Sequence, residues 1–114
     1  MLLLASCGQQ HDAEKLVESF MQENLKDAAT LSEVRFAPID STRYISDSIV
    51  NVMRQNARQP ESPYKTDAAY TGRGKGSVLF SARANYKLNG KPYVSVFYLD
   101  KALSGVVAFN FAEE

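Results

Sequence analysis

Two runs that alternate between hydrophobic and polar positions dominate the second half of the chain. Residues 77–88 and 91–99 both alternate with a period of two, which is typical of strands that bury one face. Asn89 and Gly90 separate the runs, and both tolerate the positive φ angles of a two-residue type I′ turn. The pattern therefore predicts a β-hairpin.

The two-residue turn also fixes which residues of the hairpin lie opposite each other. A slip of one residue would bury Arg83 and Lys87, so the pattern resists slippage. We expect one face to form the core and the other, mixed face to be solvated or partly covered. The predicted pairs are Leu88–Lys91, Tyr86–Tyr93, Ala84–Ser95, Ala82–Phe97 and Phe80–Leu99.

Two stretches have apolar residues at helical spacing. The first covers residues 12–28, with Asp12 as a plausible N-cap, and its apolar stripe is expected to cover the hairpin. The second covers residues 46–59, with Ser46 or Asp47 as the cap. Two arginines of the second helix, Arg54 and Arg58, lie one turn apart and are expected on its solvated face.

The segment between the two helices predicts an edge strand. Residues 33–37 alternate, and Pro38 ends the run because proline cannot donate to a strand ladder. Asp40-Ser41-Thr42 has the composition of a turn, after which residues 43–45 could resume the strand.

A last strand is predicted at residues 106–111. An assumed register places Val107 opposite Phe97, Phe109 opposite Ser95 and Phe111 opposite Tyr93. The element order predicts an α+β fold, with the N-terminal helix packed on a curved antiparallel sheet that ends in a three-strand meander.

This arrangement resembles cystatin-like and NTF2-like domains. The resemblance implies that the concave space between helix and sheet could form a ligand pocket. The expected lining residues are Phe20, Phe80, Tyr86, Tyr93, Phe97 and Phe109.

Length and charge narrow the class of protein. The chain has 114 residues, enough for one domain, and its 13 basic and 13 acidic residues cancel, so nothing favours a nucleic-acid partner. The single histidine, His11, and the single cysteine, Cys7, lie before the first predicted helix. Since a nucleophilic triad or a metal site needs such residues in the folded body, we predict no enzyme activity, no metal and no cofactor.

The N-terminus carries a recognisable motif, Leu4-Ala5-Ser6-Cys7, followed by Gly8. It resembles a bacterial lipobox, and the segments Phe20–Asp27 and Val34–Phe36 resemble small anchored bacterial lipoproteins of unknown function. The resemblance implies lipidation of Cys7 and cleavage before it. The organisation would be a signal remnant and lipobox (1–7), a tether (8–11) and one α+β domain (12–114).

The implied location is the cell envelope. Gly8 is not the Asp that would retain a Gram-negative lipoprotein at the inner membrane, so the outer membrane or the periplasmic face is expected. A complete signal has a basic segment and a longer apolar run. Because six uncharged residues precede Cys7, either translation starts upstream of Met1 or the segment does not act as a signal.

Candidate contacts for a ligand or partner lie in the long loop, residues 59–76. Its glycine-rich part departs from the Walker pattern and leads into a strand, so Arg73 and Lys75 are expected to be a flexible basic entry to the hairpin. They could also meet a phosphate, a sulfate or a sugar acid. Tyr64 and Tyr70 are further candidates for ligand contact, or ordinary edge aromatics.

Three functions remain open from the sequence. The first is a lipid-anchored, non-enzymatic binding or accessory module with an unknown protein or small-molecule partner. The second is a small-molecule pocket protein or an enzyme of NTF2-like type. The third is an accessory subunit that docks on an anionic polymer through Arg73 and Lys75.

Overall fold

The computed structural model describes the backbone of residues 2–112 and the side chains of residues 8–112. It confirms the α+β class: two helices and a five-stranded antiparallel sheet that does not close into a barrel. The elements are α1 (Leu2–Asn24), a 3₁₀ turn (Ala28–Thr30), β1 (Leu31–Phe36), β2 (Asp40–Thr42), α2 (Asp47–Ala57), β3 (Leu79–Leu88), β4 (Lys91–Leu99) and β5 (Val106–Ala112).

The sheet has the strand order β1-β3-β4-β5, and β2 pairs with β3 beyond the end of β1. The β3–β4 register is the predicted one throughout, from Leu88 opposite Lys91 to Phe80 opposite Leu99. Asn89 and Gly90 have φ angles of 51° and 83°, as a type I′ turn requires. The C-terminal three-strand meander is therefore confirmed.

The helices pack on opposite faces of the sheet. α1 lies on the apolar face of the hairpin, where Val17, Phe20 and Met21 join a core with Phe97 and Phe109. α2 lies against the other face near β5. Of its buried residues, Val50 and Met53 form a second cluster with Leu79, Val107 and Ala108, whereas Ala57 near its end joins the core around α1. The mixed face is thus partly covered, as expected.

The assumed β4–β5 register was wrong by two residues. Phe97 lies opposite Phe109, and Ser95 lies opposite Phe111. Side chains of a strand alternate between the two faces, so a shift of two residues leaves Phe109 and Phe111 on the core face. A bulge after Tyr98 shifts the pairing, so Val107 turns to the face that α2 covers.

The turn before β5 explains the shifted register. The carboxylate of Asp100 accepts hydrogen bonds from Ser104 N at 2.8 Å and Gly105 N at 3.0 Å, and it also bonds the Ser104 hydroxyl. Leu103 adopts a positive φ of 56° within this turn. This side-chain-organised turn fixes where β5 begins, and periodicity alone does not show it.

The prediction for residues 40–45 was also wrong. Asp40–Thr42 form β2, with Ser41 opposite Phe80, whereas residues 43–45 belong to no strand. Pro38 does end β1, but the chain then returns to pair with the free part of β3. Turn-forming side chains were outweighed here by backbone pairing.

The boundaries of the first helix differ from the expected ones. Asp12 is not an N-cap, because the helix already includes residues 8–11, which we had expected to be a tether. The helix ends at Asn24 rather than Ala28. There the Asn24 amide donates to Phe20 O at 2.9 Å and accepts from Ala69 N at 3.2 Å, so tertiary contacts set the end.

α2 begins as predicted, but one of its arginines is not solvated. The Ser46 hydroxyl caps the helix by accepting from Ile49 N at 3.2 Å. Half-buried Arg54 donates to Val107 O at 2.9 Å and Thr71 O at 3.2 Å, whereas Arg58 is exposed. Arg54 thereby provides a hydrogen-bond donor for the Val107 carbonyl of β5, which is an edge strand.

Replacement of Gly105 should test the packing around the β4–β5 turn. A Cβ atom at Gly105 would overlap Thr71, whose backbone N donates to Val106 O at 2.8 Å. We expect Gly105→Ala to lower the free energy of unfolding by about 1–3 kcal/mol, because the loop must shift. Urea unfolding measures the change. The control is Gly72→Ala, since nothing lies within 4 Å of its Cβ position; equal losses would contradict the proposed overlap.

Candidate functional site

The space between α1 and the sheet, where we had predicted a ligand pocket, is occupied by aromatic side chains. Phe20 of α1 meets Phe97 and Phe109 edge-on, with ring centroids 6.0 Å and 5.8 Å apart. Tyr64 lies among them, with its ring centroid 4.3 Å from that of Phe109. These four rings fill the middle of the interface with the protein's own atoms.

Tyr64 enters the core because the loop that carries it is held against the end of α1. Tyr64 forms an isolated antiparallel bridge with Leu25. Lys26 N donates to Pro63 O at 2.9 Å, and Lys65 N donates to Asn24 O at 2.7 Å. The long segment between α2 and β3, residues 58–78 (the Tyr64 loop), is therefore part of the packed structure at this point.

Three buried hydroxyl groups form a chain beneath this loop. The Tyr64 hydroxyl lies 2.9 Å from the Tyr86 hydroxyl, which lies 2.7 Å from Ser95 Oγ. Tyr64 and Ser95 are completely buried and Tyr86 is 2% exposed. Burying a hydroxyl without a hydrogen-bond partner costs free energy, so each hydroxyl of the chain is stabilised by its bond to a neighbouring one.

Burial also sets the ionisation of the two tyrosines. Desolvation raises the pKa of Tyr64 well above its ordinary value of 10.0, and the neighbouring Tyr86 raises it further. Desolvation likewise raises the pKa of Tyr86, although its hydrogen bonds to Ser95 and Tyr64 oppose the shift. Both side chains are therefore neutral hydrogen-bonding groups near neutral pH.

Tyr70, the second predicted contact tyrosine, is half-buried beside α2. Its ring lies 5.0 Å from the Arg54 guanidinium carbon and 5.6 Å from the ring of Phe20. Burial raises the Tyr70 pKa, opposed by the positive charges of Arg58 and Arg54. Its buried hydroxyl has no hydrogen-bond partner among the described residues. Packing accounts for both tyrosines, and a ligand role for either one stays a prediction.

Arg73 and Lys75, the predicted basic contacts, have different surroundings. The Arg73 guanidinium donates to Ile45 O at 2.6 Å, Asp47 Oδ1 at 3.1 Å and Ser77 O at 3.2 Å, and its side chain is 16% exposed. Lys75 is exposed. Arg73 thus ties the glycine-rich part of the loop to the start of α2.

Among the open depressions of the described surface, one borders the β4–β5 turn and another the start of α2. A cleft of about 290 Å³ lies between α1 and the β4–β5 turn, with Ser19, Glu23 and Ser104 among its lining residues. A shallower hollow of about 450 Å³ lies at the start of α2, beside Arg43 and the 84% exposed ring of Tyr44. At the first depression, the Ser104 hydroxyl donates to the Asp100 carboxylate, which also accepts from two backbone amides of the turn.

A contact that the sequence did not indicate holds α1 to the sheet at Gln10. The Gln10 side-chain amide donates to Ala37 O at 3.1 Å and accepts from Ile39 N at 2.8 Å. It also donates to Glu14 Oε2 at 2.8 Å. The Gln10–Glu14 spacing is a helix signal that could have extended the predicted helix, but no signal in the sequence indicates the strand partners.

The Cys7 side chain lies outside the described residues. Within the described part of the chain, no three His, Cys, Asp or Glu side chains are grouped as they would be around a metal ion. No helix there is both long and apolar enough to cross a bilayer.

Comparison of the chain with protein-family models, curated proteins and solved structures found no match. The α+β class therefore rests on the structure itself. The resemblance to cystatin-like and NTF2-like domains stays a prediction.

The different surroundings of the two basic residues predict different effects of their removal. Arg73→Ala should lower the free energy of unfolding by about 1–3 kcal/mol, because three charge-assisted hydrogen bonds are lost. Lys75→Ala should leave it nearly unchanged, and denaturant unfolding compares them. A neutral Arg73→Ala variant would show that these bonds do not stabilise the loop.

The buried hydroxyl chain predicts a specific alkaline destabilisation. Since folding raises the pKa values of Tyr64 and Tyr86, their contribution to stability is full below the unfolded value of about 10 and is lost as pH rises towards the folded values. Tyr64→Phe should cost about 1 kcal/mol at neutral pH and flatten the alkaline fall in stability. Unfolding measured at several alkaline pH values, with Tyr44→Phe as the exposed control, checks this. An identical pH profile for Tyr64→Phe and the wild type would contradict it.

Proposed function

We propose that this protein is a lipid-anchored, non-enzymatic binding or accessory module of the cell envelope. The observation that carries the proposal is the motif Leu4-Ala5-Ser6-Cys7, with small residues before a cysteine that would carry the acyl groups. Several acyl chains would give stable attachment, because each buried CH₂ group contributes about 0.8 kcal/mol.

The packing of the interior supports a function at the surface. Phe20, Tyr64 and Phe109 occupy the space where an NTF2-like protein would be expected to hold a ligand. A small-molecule function, the alternative, would use an open depression at the surface, such as the cleft beside Ser104. Ser104 lines that cleft, and its hydroxyl donates to the buried carboxylate of Asp100, which also accepts from the backbone of the turn.

The start of α1 also fits an anchored protein. Gln10 lies three residues after Cys7 and is bonded to the sheet edge. A lipid on Cys7 would therefore hold the folded body directly, without a long flexible linker.

Metabolic labelling tests the anchor. Cells that express the protein from its natural start should incorporate labelled palmitate into it, and mass spectrometry should place the acyl groups on Cys7. Cys7→Ser is the matched control and should carry no label, because a serine hydroxyl cannot replace the thiol that forms the thioether bond to the lipid. Unlabelled wild-type protein that keeps Met1 and a free thiol would refute the proposal.

A further inference from the structure

We propose that the edge of the sheet formed by β1 and β2 lies against the membrane surface, with β5 and α2 pointing away from it. The proposal rests on the proposed function, because it requires a lipid at Cys7. It adds an orientation, and hence an interaction surface for phospholipid head groups, that the anchor alone does not define.

The first step is the fixed position of Gln10. Its amide both donates to and accepts from the backbone of the β1–β2 corner, residues 37–39, as a neighbouring strand would. Ala13, one turn further along α1, is completely buried in the core. Residues 10–13 of α1 are therefore held to one edge of the sheet.

The second step is the length of chain between the anchor and this corner. Cys7 and Gln10 are three residues apart, so their Cα atoms are separated by about 5 Å along a helix. Even full extension of these residues gives only about 11 Å. The β1–β2 corner must then stay within this short distance of the acylated residue.

The third step is the order of the strands. β1 and β2 lie at one edge of the sheet and β5 lies at the other. Three strand spacings place the two edges about 14 Å apart. α2 packs beside β5, so its exposed side lies farther from the anchor than the corner does.

The charges near the corner indicate that the tether sets this orientation. The exposed charged side chains of this edge, over residues 31–43, are Glu33, Arg35, Asp40 and Arg43. Charges of opposite sign offer no net attraction for an anionic membrane surface. The orientation should consequently persist when the ionic strength is raised.

The sequence allows a direct test, because the chain contains one cysteine and no tryptophan. The full chain is coupled through Cys7 to a maleimide phospholipid in vesicles that also contain a lipid with a nitroxide on its head group. Tryptophan is introduced at an exposed residue of the corner (Ala37→Trp) or of α2 (Gln55→Trp). Fluorescence quenching should be severalfold stronger at the corner, and equal quenching at both positions would overturn the proposal.

Removal of the Gln10 contact tests whether this contact causes the proposed orientation. In Gln10→Ala the ratio of corner to α2 quenching should fall towards one. Without the Gln10 contacts, the first residue held to the core is the buried Ala13, so the segment between Cys7 and the first fixed residue becomes longer. Gln9→Ala, at an exposed neighbouring position, should keep the ratio. A ratio unchanged by Gln10→Ala, or one that collapses at high ionic strength, would overturn the role of the short tether.

The two proposals can fail separately in this design. Absence of acyl groups on protein isolated from cells refutes the natural anchor. Equal quenching in the chemically coupled protein refutes the orientation, whether or not cells acylate Cys7.

Discussion

The insertion of Tyr64 between α1 and the sheet is the contact on which much of the structure depends. The side chain comes from an irregular segment, yet it is completely buried and touches Phe20 and Phe109. Its backbone neighbours bond the end of α1, and its hydroxyl joins Tyr86 in the sheet. Helix, loop and sheet are thus held by one residue, because its ring needs apolar contacts and its hydroxyl needs a partner.

This arrangement explains why a long connection can remain ordered. Connections of this length usually provide a functional loop or a mobile one. Here the loop contributes Tyr64 to the core, and its Thr71 N donates a hydrogen bond to Val106 O of β5. The Arg73 guanidinium holds the far end of the loop by donating to Ile45 O. The space between α1 and the sheet is consequently filled by the chain's own residues, and under the proposed function recognition would take place at the surface.

The type of turn between two strands determined whether their register could be predicted from the sequence. The β3–β4 register followed from Asn89-Gly90, because a two-residue turn leaves no freedom in pairing. The β4–β5 register did not follow from the sequence. It depends on a longer turn organised by the Asp100 carboxylate and on a bulge, neither of which changes the hydrophobic pattern.

The candidate site was less predictable than the fold because its members owe their positions to distant contacts. Composition identified Arg73, but not its bonds to Ile45 and Ser77. A polar N-terminal segment suggested a tether, whereas Gln10 fixes that segment to the sheet edge. Tyr64 was predicted to be either a ligand contact or an ordinary edge aromatic, because it lies in a long loop and aromatic character alone does not specify burial.

Native-state hydrogen exchange tests the central claim, that the Tyr64 loop belongs to the core, most directly. The informative amides are those of Lys26, Lys65 and Thr71, which donate to Pro63, Asn24 and Val106. If the loop is part of the core, these amides should exchange as slowly as the central amides of β3 and β4, because only global opening exposes them. Fast exchange at Lys65 and Thr71 while β3 and β4 remain protected would contradict the claim, since the loop would then open on its own.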